Sequence, residues 1–161
     1  GDCFYVEDMA WPSLTHRAKE TAISEKTGRM KRKKRFGKSA ANKAPATLIG
    51  ILEQKCNSLG LPGVVKVPTS LRASHYNHQS GEYTSKPLSQ RWNNMPDGER
   101  IQRDLYSAFL LQHYDPKAGN FDSALLQQDY PQFVQYHHRA IQRLSTVPKT
   151  LSSMGIQRSL R

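Results

Sequence analysis

The chain has little cysteine and no long apolar run. Its 161 residues include two cysteines, Cys3 and Cys56, too few for a disulfide scaffold or a four-cysteine zinc site. Both lie in apolar surroundings, so we expect buried, reduced thiols. No apolar run approaches the ~20 residues that a membrane-spanning helix needs, and no signal peptide precedes the first predicted strand. These absences favour a cytoplasmic protein without a membrane partner.

Acidic residues are also scarce relative to basic ones. The chain carries 24 Lys and Arg against 13 Asp and Glu, a formal net charge of +11. Such an excess favours a polyanionic partner, because basic side chains neutralise phosphates and release their counterions. It bears on partners and solubility and does not define a fold.

The basic charge is concentrated in one segment, residues 17–43, which has eleven Lys and Arg and two acidic residues. Like charges repel, and Gly28 and Gly37 interrupt the segment, so we predict an excursion from the core. Phe36 is the only aromatic residue in this segment, and this lack of interleaved aromatics favours phosphate contact over base stacking. A solvated face or a localisation-like patch is the alternative. The candidate nucleic-acid ligands are Lys31, Arg32, Lys33, Lys34 and Arg35.

Hydrophobic spacing predicts an alternation of strands and helices. Residues 3–6 form a short apolar run typical of a buried strand, and residues 64–67 form a β-branched run that ends before Pro68. Apolar residues spaced three and four apart predict helices over about 44–59 and 99–113. Two further helices are expected over 122–129 and 131–144, the second beginning at Pro131.

Two segments lack a clear period. Residues 69–100 are polar and rich in Ser, Asn, Gly and Pro, which predicts a long insertion. Residues 146–161 are expected to be a flexible tail. The chain opens with Gly1-Asp2 and no initiator Met, and we therefore expect it to be a piece of a longer protein.

Two carboxylates occupy positions suited to a metal site. Glu7 ends the first strand, and Asp104 lies in the first turn of a helix beside Arg103. Each alone has a simpler interpretation, a solvated strand end or a helix N-terminal acid that interacts with the macrodipole. The order of strand with Glu, helix, strand and helix with Asp is also that of the second half of an RNase H-like fold. Carboxylate oxygens suit Mg²⁺ or Mn²⁺, which can activate water and stabilise a leaving phosphodiester oxygen.

The same residues resemble a known family of nucleases. The second RuvC motif of TnpB-type transposon-encoded nucleases is similar to Tyr5-Val6-Glu7-Asp8-Met9, and the third is similar to Gln102-Arg103-Asp104-Leu105-Tyr106-Ser107-Ala108. The flanks of the family's zinc-ribbon insertion resemble Ala73-Ser74-His75-Tyr76 and Lys86-Pro87-Leu88-Ser89-Gln90-Arg91-Trp92. The resemblance spans roughly residues 3–113.

The resemblance implies an RNA-guided DNA endonuclease, often described as a transposase and related to type V CRISPR effectors. The fold it implies is α/β, the C-terminal half of a RuvC, RNase H-like domain over residues 1–145 with added C-terminal helices. Glu7 and Asp104 would be catalytic ligands of Mg²⁺ or Mn²⁺, and Arg103 would contact phosphate or tune Asp104. The implied partners are DNA and guide RNA, in the cytoplasm with the nucleoid.

The sequence departs from the family pattern in two ways. Residues 69–100 contain no cysteine, so a zinc ribbon is not expected there, and His75 and His78 are interpreted as loop histidines. The family's first RuvC aspartate, which belongs on an earlier strand, has no counterpart, because Asp2 is wrongly placed. We therefore expect the chain to be either a C-terminal fragment or the product of a truncated gene. Its active site is incomplete, and we expect this chain alone to be inactive. The alternatives are a nucleic-acid-binding remnant or repressor without catalysis, and a basic structural RNA-binding protein.

Overall fold

The computed structural model describes residues 3–11, 23–30, 44–146 and 154–156. These residues form a mixed α/β structure. Its longer elements are β1 (Cys3–Glu7), α1 (Pro45–Ser58), β2 (Gly63–Val67), α2 (Arg103–Gln112) and α3 (Ser123–Ser145). Its short strands are β3 (Tyr76–Asn77), β4 (Glu82–Tyr83), β5 (Trp92–Asn94), β6 (Arg100–Gln102), β7 (Tyr114–Asp115) and β8 (Asn120–Phe121). The strands pair successively into two-stranded sheets, β1 with β2, β3 with β4, β5 with β6 and β7 with β8.

The predicted order of the first elements is confirmed. Strand, helix and strand occupy the expected ranges, and Pro45 stands at the start of α1, where its missing N–H costs no hydrogen bond. Helix α2 begins later than predicted, at Arg103. The residues before it, Arg100–Gln102, pair with Trp92–Asn94 as an antiparallel hairpin, and the helical spacing gave no sign of this pairing.

The two helices predicted at the C-terminal end form one continuous helix, so the predicted break is wrong. Helix α3 runs through Pro131. Proline removes one hydrogen bond to the carbonyl four residues earlier, but Gln127 and Pro131 are both exposed, so water can satisfy that carbonyl. Burial of Leu126, Tyr130 and His137 stabilises the helix on both sides of the proline.

The polar segment 69–100 contributes directly to the core. It forms the β3–β4 hairpin and strand β5, and it buries Ala73 and Met95 to 1% and 5% exposure. These side chains join a cluster whose other buried members are Ile101, Tyr106, Phe109, Leu110, Phe121, Leu126 and Tyr130. The absence of a period here reflects very short strands joined by turns.

The structure divides into two compact units. Tyr5–Glu7 and the described residues from Lys66 onward form one, and the remaining described residues form the other. Most of the 17–43 segment, including Lys31–Arg35, lies outside the described residues. So does most of the expected tail, but within it Ile156 is buried. No helix in the described part of the chain is long and apolar enough to cross a membrane.

Candidate functional site

Asp104 is presented at the point where a strand turns into a helix. Strand β6 ends at Gln102, and Asp104 is the second residue of α2, with half of its side chain exposed. The Gln102 Oε1 accepts a hydrogen bond from the Leu105 N–H at 2.8 Å, and its Nε2 donates to Asp104 Oδ2 at 3.1 Å. One side chain therefore caps the helix N-terminus and orients the candidate catalytic carboxylate.

Gln102 is itself held rigidly. It is fully buried, its backbone N–H donates to His137 Nε2 at 3.0 Å, and its Nε2 also donates to the Met154 carbonyl at 3.3 Å. Burial, followed by the neighbouring His138, lowers the pKa of His137. The neutral imidazole provides the acceptor nitrogen that this hydrogen bond needs.

The side chain of Arg103 is buried beside Asp104. Its side chain is buried, its Nη1 donates to the Pro87 carbonyl at 3.3 Å, and its Nε lies 3.6 Å from Asp104 Oδ1. A guanidinium enclosed in this way presents little surface to a phosphate. Burial therefore disfavours the phosphate contact that the sequence left open for Arg103, and its role beside Asp104 stays a prediction.

Glu7 is far less constrained. It is the last residue of β1 and is half-buried, and its neighbour Asp8 is exposed. Its carboxylate forms no hydrogen bond or ion pair with any of the residues that the structure describes. Tyr5–Glu7 belongs to the same compact unit as Asp104. The structure thus assigns both predicted carboxylates to one unit, but it constrains only Asp104 through neighbouring side chains.

The two carboxylates are chemically suited to a hard divalent cation. Both supply oxygen donors, as Mg²⁺ and Mn²⁺ prefer, and both are accessible to solvent. Within residues 3–11, 23–30, 44–146 and 154–156, no group of three or more His, Cys, Asp or Glu side chains is placed to hold a metal ion. Among these residues Glu7 and Asp104 are therefore not part of a larger cluster of donors, and their role as metal ligands stays a prediction.

His78 has a role that sequence reasoning missed. It is buried, and both its backbone N–H and its Nδ1 lie against the Tyr106 hydroxyl, at 3.1 and 2.7 Å. Burial lowers the pKa of His78 and raises that of Tyr106 to about 12, so both groups are neutral near pH 7. This contact fastens the 69–100 segment to α2. No local pattern identified it, because the partners are 28 residues apart.

No protein-family model, curated protein or solved structure matches the chain. The functional argument therefore rests on the residues and on the geometry around Asp104.

Proposed function

We propose that this chain is part of a metal-dependent DNA endonuclease of the TnpB type, in which hydrolysis of a phosphodiester is directed by a guide RNA. The observation that carries the proposal is the arrangement at the start of α2. There a buried glutamine both caps the helix and orients Asp104, a half-exposed carboxylate. Such support of a ligand by a buried neighbour is typical of metal sites.

Each residue has a distinct part in this proposal. Glu7 and Asp104 hold Mg²⁺ or Mn²⁺, Gln102 orients Asp104, and Arg103 balances its charge from the buried side. The metal, when bound, activates water and stabilises the leaving oxygen. The first RuvC aspartate has no counterpart in this sequence, so the proposed site is incomplete in this chain.

The remaining support comes from charge. A net charge of +11 suits a protein that holds a polyanion. The run Lys31–Arg35 is the densest basic stretch and the expected contact for the phosphates of DNA and guide RNA. Substitution of these residues is expected to weaken binding without altering sequence preference.

The test is cleavage of target DNA by the longest natural form of the protein with its guide RNA and Mg²⁺. We expect Glu7→Gln and Asp104→Asn each to lower the cleavage rate by at least about 100-fold, since even residues that only support a metal ligand contribute 10- to 100-fold. Matched controls are Asp8→Asn, next to Glu7, and Glu82→Gln, an exposed carboxylate on β4. Wild-type rates in both site variants would contradict the proposal.

A second candidate is nucleic-acid binding without catalysis, as in a remnant or a repressor. The observation that favours it is the basic charge, which needs no intact metal site. It predicts that nucleic acid binds in a salt-dependent manner while the cleavage rate stays at background in the wild-type protein as in Asp104→Asn.

A further inference from the structure

A basic cleft lies beside the β5–β6 hairpin. Its volume is about 440 Å³, within the range of small-ligand sites. The cleft brings together the hairpin, α3 and the short segment Met154–Ile156. Its principal lining side chains are Ser89, Arg91, Trp92, Arg100, Ile141 and Ile156.

The register of the hairpin places its charged and aromatic groups on one face. Trp92 stands opposite Gln102, and Arg100 stands opposite Asn94, so Trp92 and Arg100 are diagonal neighbours. The Arg100 Cζ lies 5.0 Å from the centre of the Trp92 ring, a stacked arrangement that holds the guanidinium in place. The Trp92 indole N–H donates to the Gly155 carbonyl at 2.9 Å, which fixes the far wall of the cleft.

The two arginines of the cleft have no carboxylate partner among the described residues. The acids nearest to them in sequence are engaged elsewhere. Glu99 accepts a hydrogen bond from His138 Nε2 at 3.0 Å, and Asp97 accepts one from Gln79 at 2.8 Å. Two guanidinium groups and the Ser89 hydroxyl therefore line one cavity without a counter-charge, which is the chemistry that recognises phosphate.

We propose that this cleft binds a backbone phosphate of a single-stranded nucleic acid through Arg91 and Arg100. The inference rests on the nucleic-acid-binding part of the proposed function and gives it a location among the described residues. Strand β6 leads from Arg100 to Gln102, a rise of about 7 Å, and Gln102 orients Asp104. Arg100 therefore lies two residues along β6 from the side chain that orients the candidate catalytic carboxylate.

The test measures binding of a fluorescently labelled oligothymidylate over a range of salt concentrations, without added metal. We expect Arg91→Gln/Arg100→Gln to weaken binding and to make the salt dependence shallower by about 0.7, since each phosphate neutralised on a single strand accounts for about 0.7. Arg91→Lys/Arg100→Lys keeps the charge and is expected to retain the wild-type slope. Circular dichroism checks that each variant is folded.

The matched control is Arg139→Gln/Arg143→Gln on the exposed face of α3. It removes the same charge, and Arg139 also lies over an aromatic ring, that of Tyr136 at 6.0 Å. A wild-type slope in this control supports a specific cleft. An equal loss in both pairs, or no loss in the cleft pair, overturns the proposal.

A second measurement separates a nucleic-acid strand from a free anion as the source of the phosphate. In a Trp11→Phe background, Trp92 is the sole tryptophan, and its fluorescence reports directly on the cleft. We expect the oligonucleotide to change this fluorescence at far lower phosphate concentration than inorganic phosphate does. If inorganic phosphate changed the fluorescence at the same phosphate concentration as the oligonucleotide, the assignment of the cleft to a nucleic-acid strand would be overturned.

The cleft and the nuclease can fail independently. If cleavage is absent while binding still depends on Arg91 and Arg100, only the nuclease proposal fails. If cleavage depends on Glu7 and Asp104 while the cleft variants bind normally, only the cleft proposal fails.

Discussion

Helices α1 and α2 were predicted from the same kind of apolar spacing, yet they are buried to different extents. Helix α2 buries four of its ten residues, Arg103, Tyr106, Phe109 and Leu110. Helix α1 buries one of fourteen, Cys56, and leaves Leu48 and Ile51 58% and 49% exposed. Amphipathic spacing thus identifies a helix and its apolar face, but the degree to which that face is covered depends on what the rest of the chain brings against it.

The same contrast separates the two candidate carboxylates. Asp104 is carried by the well-packed helix and is oriented by a buried side chain. Glu7 ends a strand, without a partner for its carboxylate among the described residues. Precise placement of a catalytic group requires that its neighbours also be fixed, so Asp104 is the better-defined half of the proposed site.

The largest expected effect is a loss of stability on substitution of a buried residue of α2. Leu110 is fully buried, so Leu110→Ala is expected to lower the free energy of unfolding by about 2–5 kcal/mol through lost burial and a cavity. Leu48→Ala on α1 is expected to change it by less than about 1 kcal/mol. Urea unfolding followed by circular dichroism measures both. Equal losses would show that α1 is covered as fully as α2.

Gly155 is the next most sensitive position. Its φ of +70° lies in the left-handed region, and an added Cβ would come within 2.7 Å of the Arg91 Cβ. Left-handed backbone alone costs a non-glycine residue about 1–2 kcal/mol. Gly155→Ala is therefore expected to destabilise the protein by more than this and to shift Trp92 fluorescence to longer wavelength.

The matched control for that change is Gly81→Ala, at φ +71° with no atom within 4 Å of the added Cβ. This substitution also places a non-glycine residue in the left-handed region, but its added Cβ meets no other atom. A Trp92 spectrum that is unchanged in Gly155→Ala would mean that Met154–Ile156 does not form the wall of the cleft in solution.

Gln102→Met tests whether the cap and the carboxylate depend on one side chain. Loss of an N-cap costs about 0.5–2 kcal/mol, and loss of the hydrogen bond to Asp104 is expected to lower cleavage by about 10- to 100-fold. Asp122→Ala removes the cap of α3, where Asp122 accepts from two backbone N–H groups at 3.0 Å. It is expected to lower stability similarly and to leave cleavage unchanged. A similar cleavage loss in both variants would assign the effect to folding alone.

The smallest expected effect is a dependence of stability on pH. Burial lowers the pKa of His78 and of His137, so below the unfolded value of 6.5 the unfolded chain takes up protons that the folded chain resists. The contribution of the neutral His78 and His137 to stability is therefore full above pH 6.5 and is lost as the pH falls. The thermal midpoint measured at pH 7.5 and pH 5.5 shows it. His78→Gln should reduce the difference between these midpoints, and His75→Gln is the neighbouring control.

At alkaline pH the stability of the fold instead falls as the pH rises. The pKa of Tyr106 is raised to about 12, so between pH 10 and 12 the unfolded chain releases a proton that the folded chain keeps. Stability falls over that interval. A flat profile there would contradict burial of the hydroxyl against His78.

Local sequence was enough to predict β1, α1 and β2, and the presence of a helix carrying Asp104. Each of these depends on the nearest few residues, through apolar spacing or β-branched content. The excess of basic charge is likewise a property of composition. The RuvC-like assignment and the roles of Glu7 and Asp104 stay predictions.

Tertiary contacts decided the rest. Packing overrides a local signal where α3 continues through Pro131 and where α2 begins only after β6. The burial of His78 against Tyr106 joins residues that are distant in sequence. The same holds for the triple role of Gln102, which connects Asp104, His137 and Met154. Sequence spacing shows which face of an element is apolar, but hydrogen bonds and packing between distant segments determine how the Asp104 carboxylate is held.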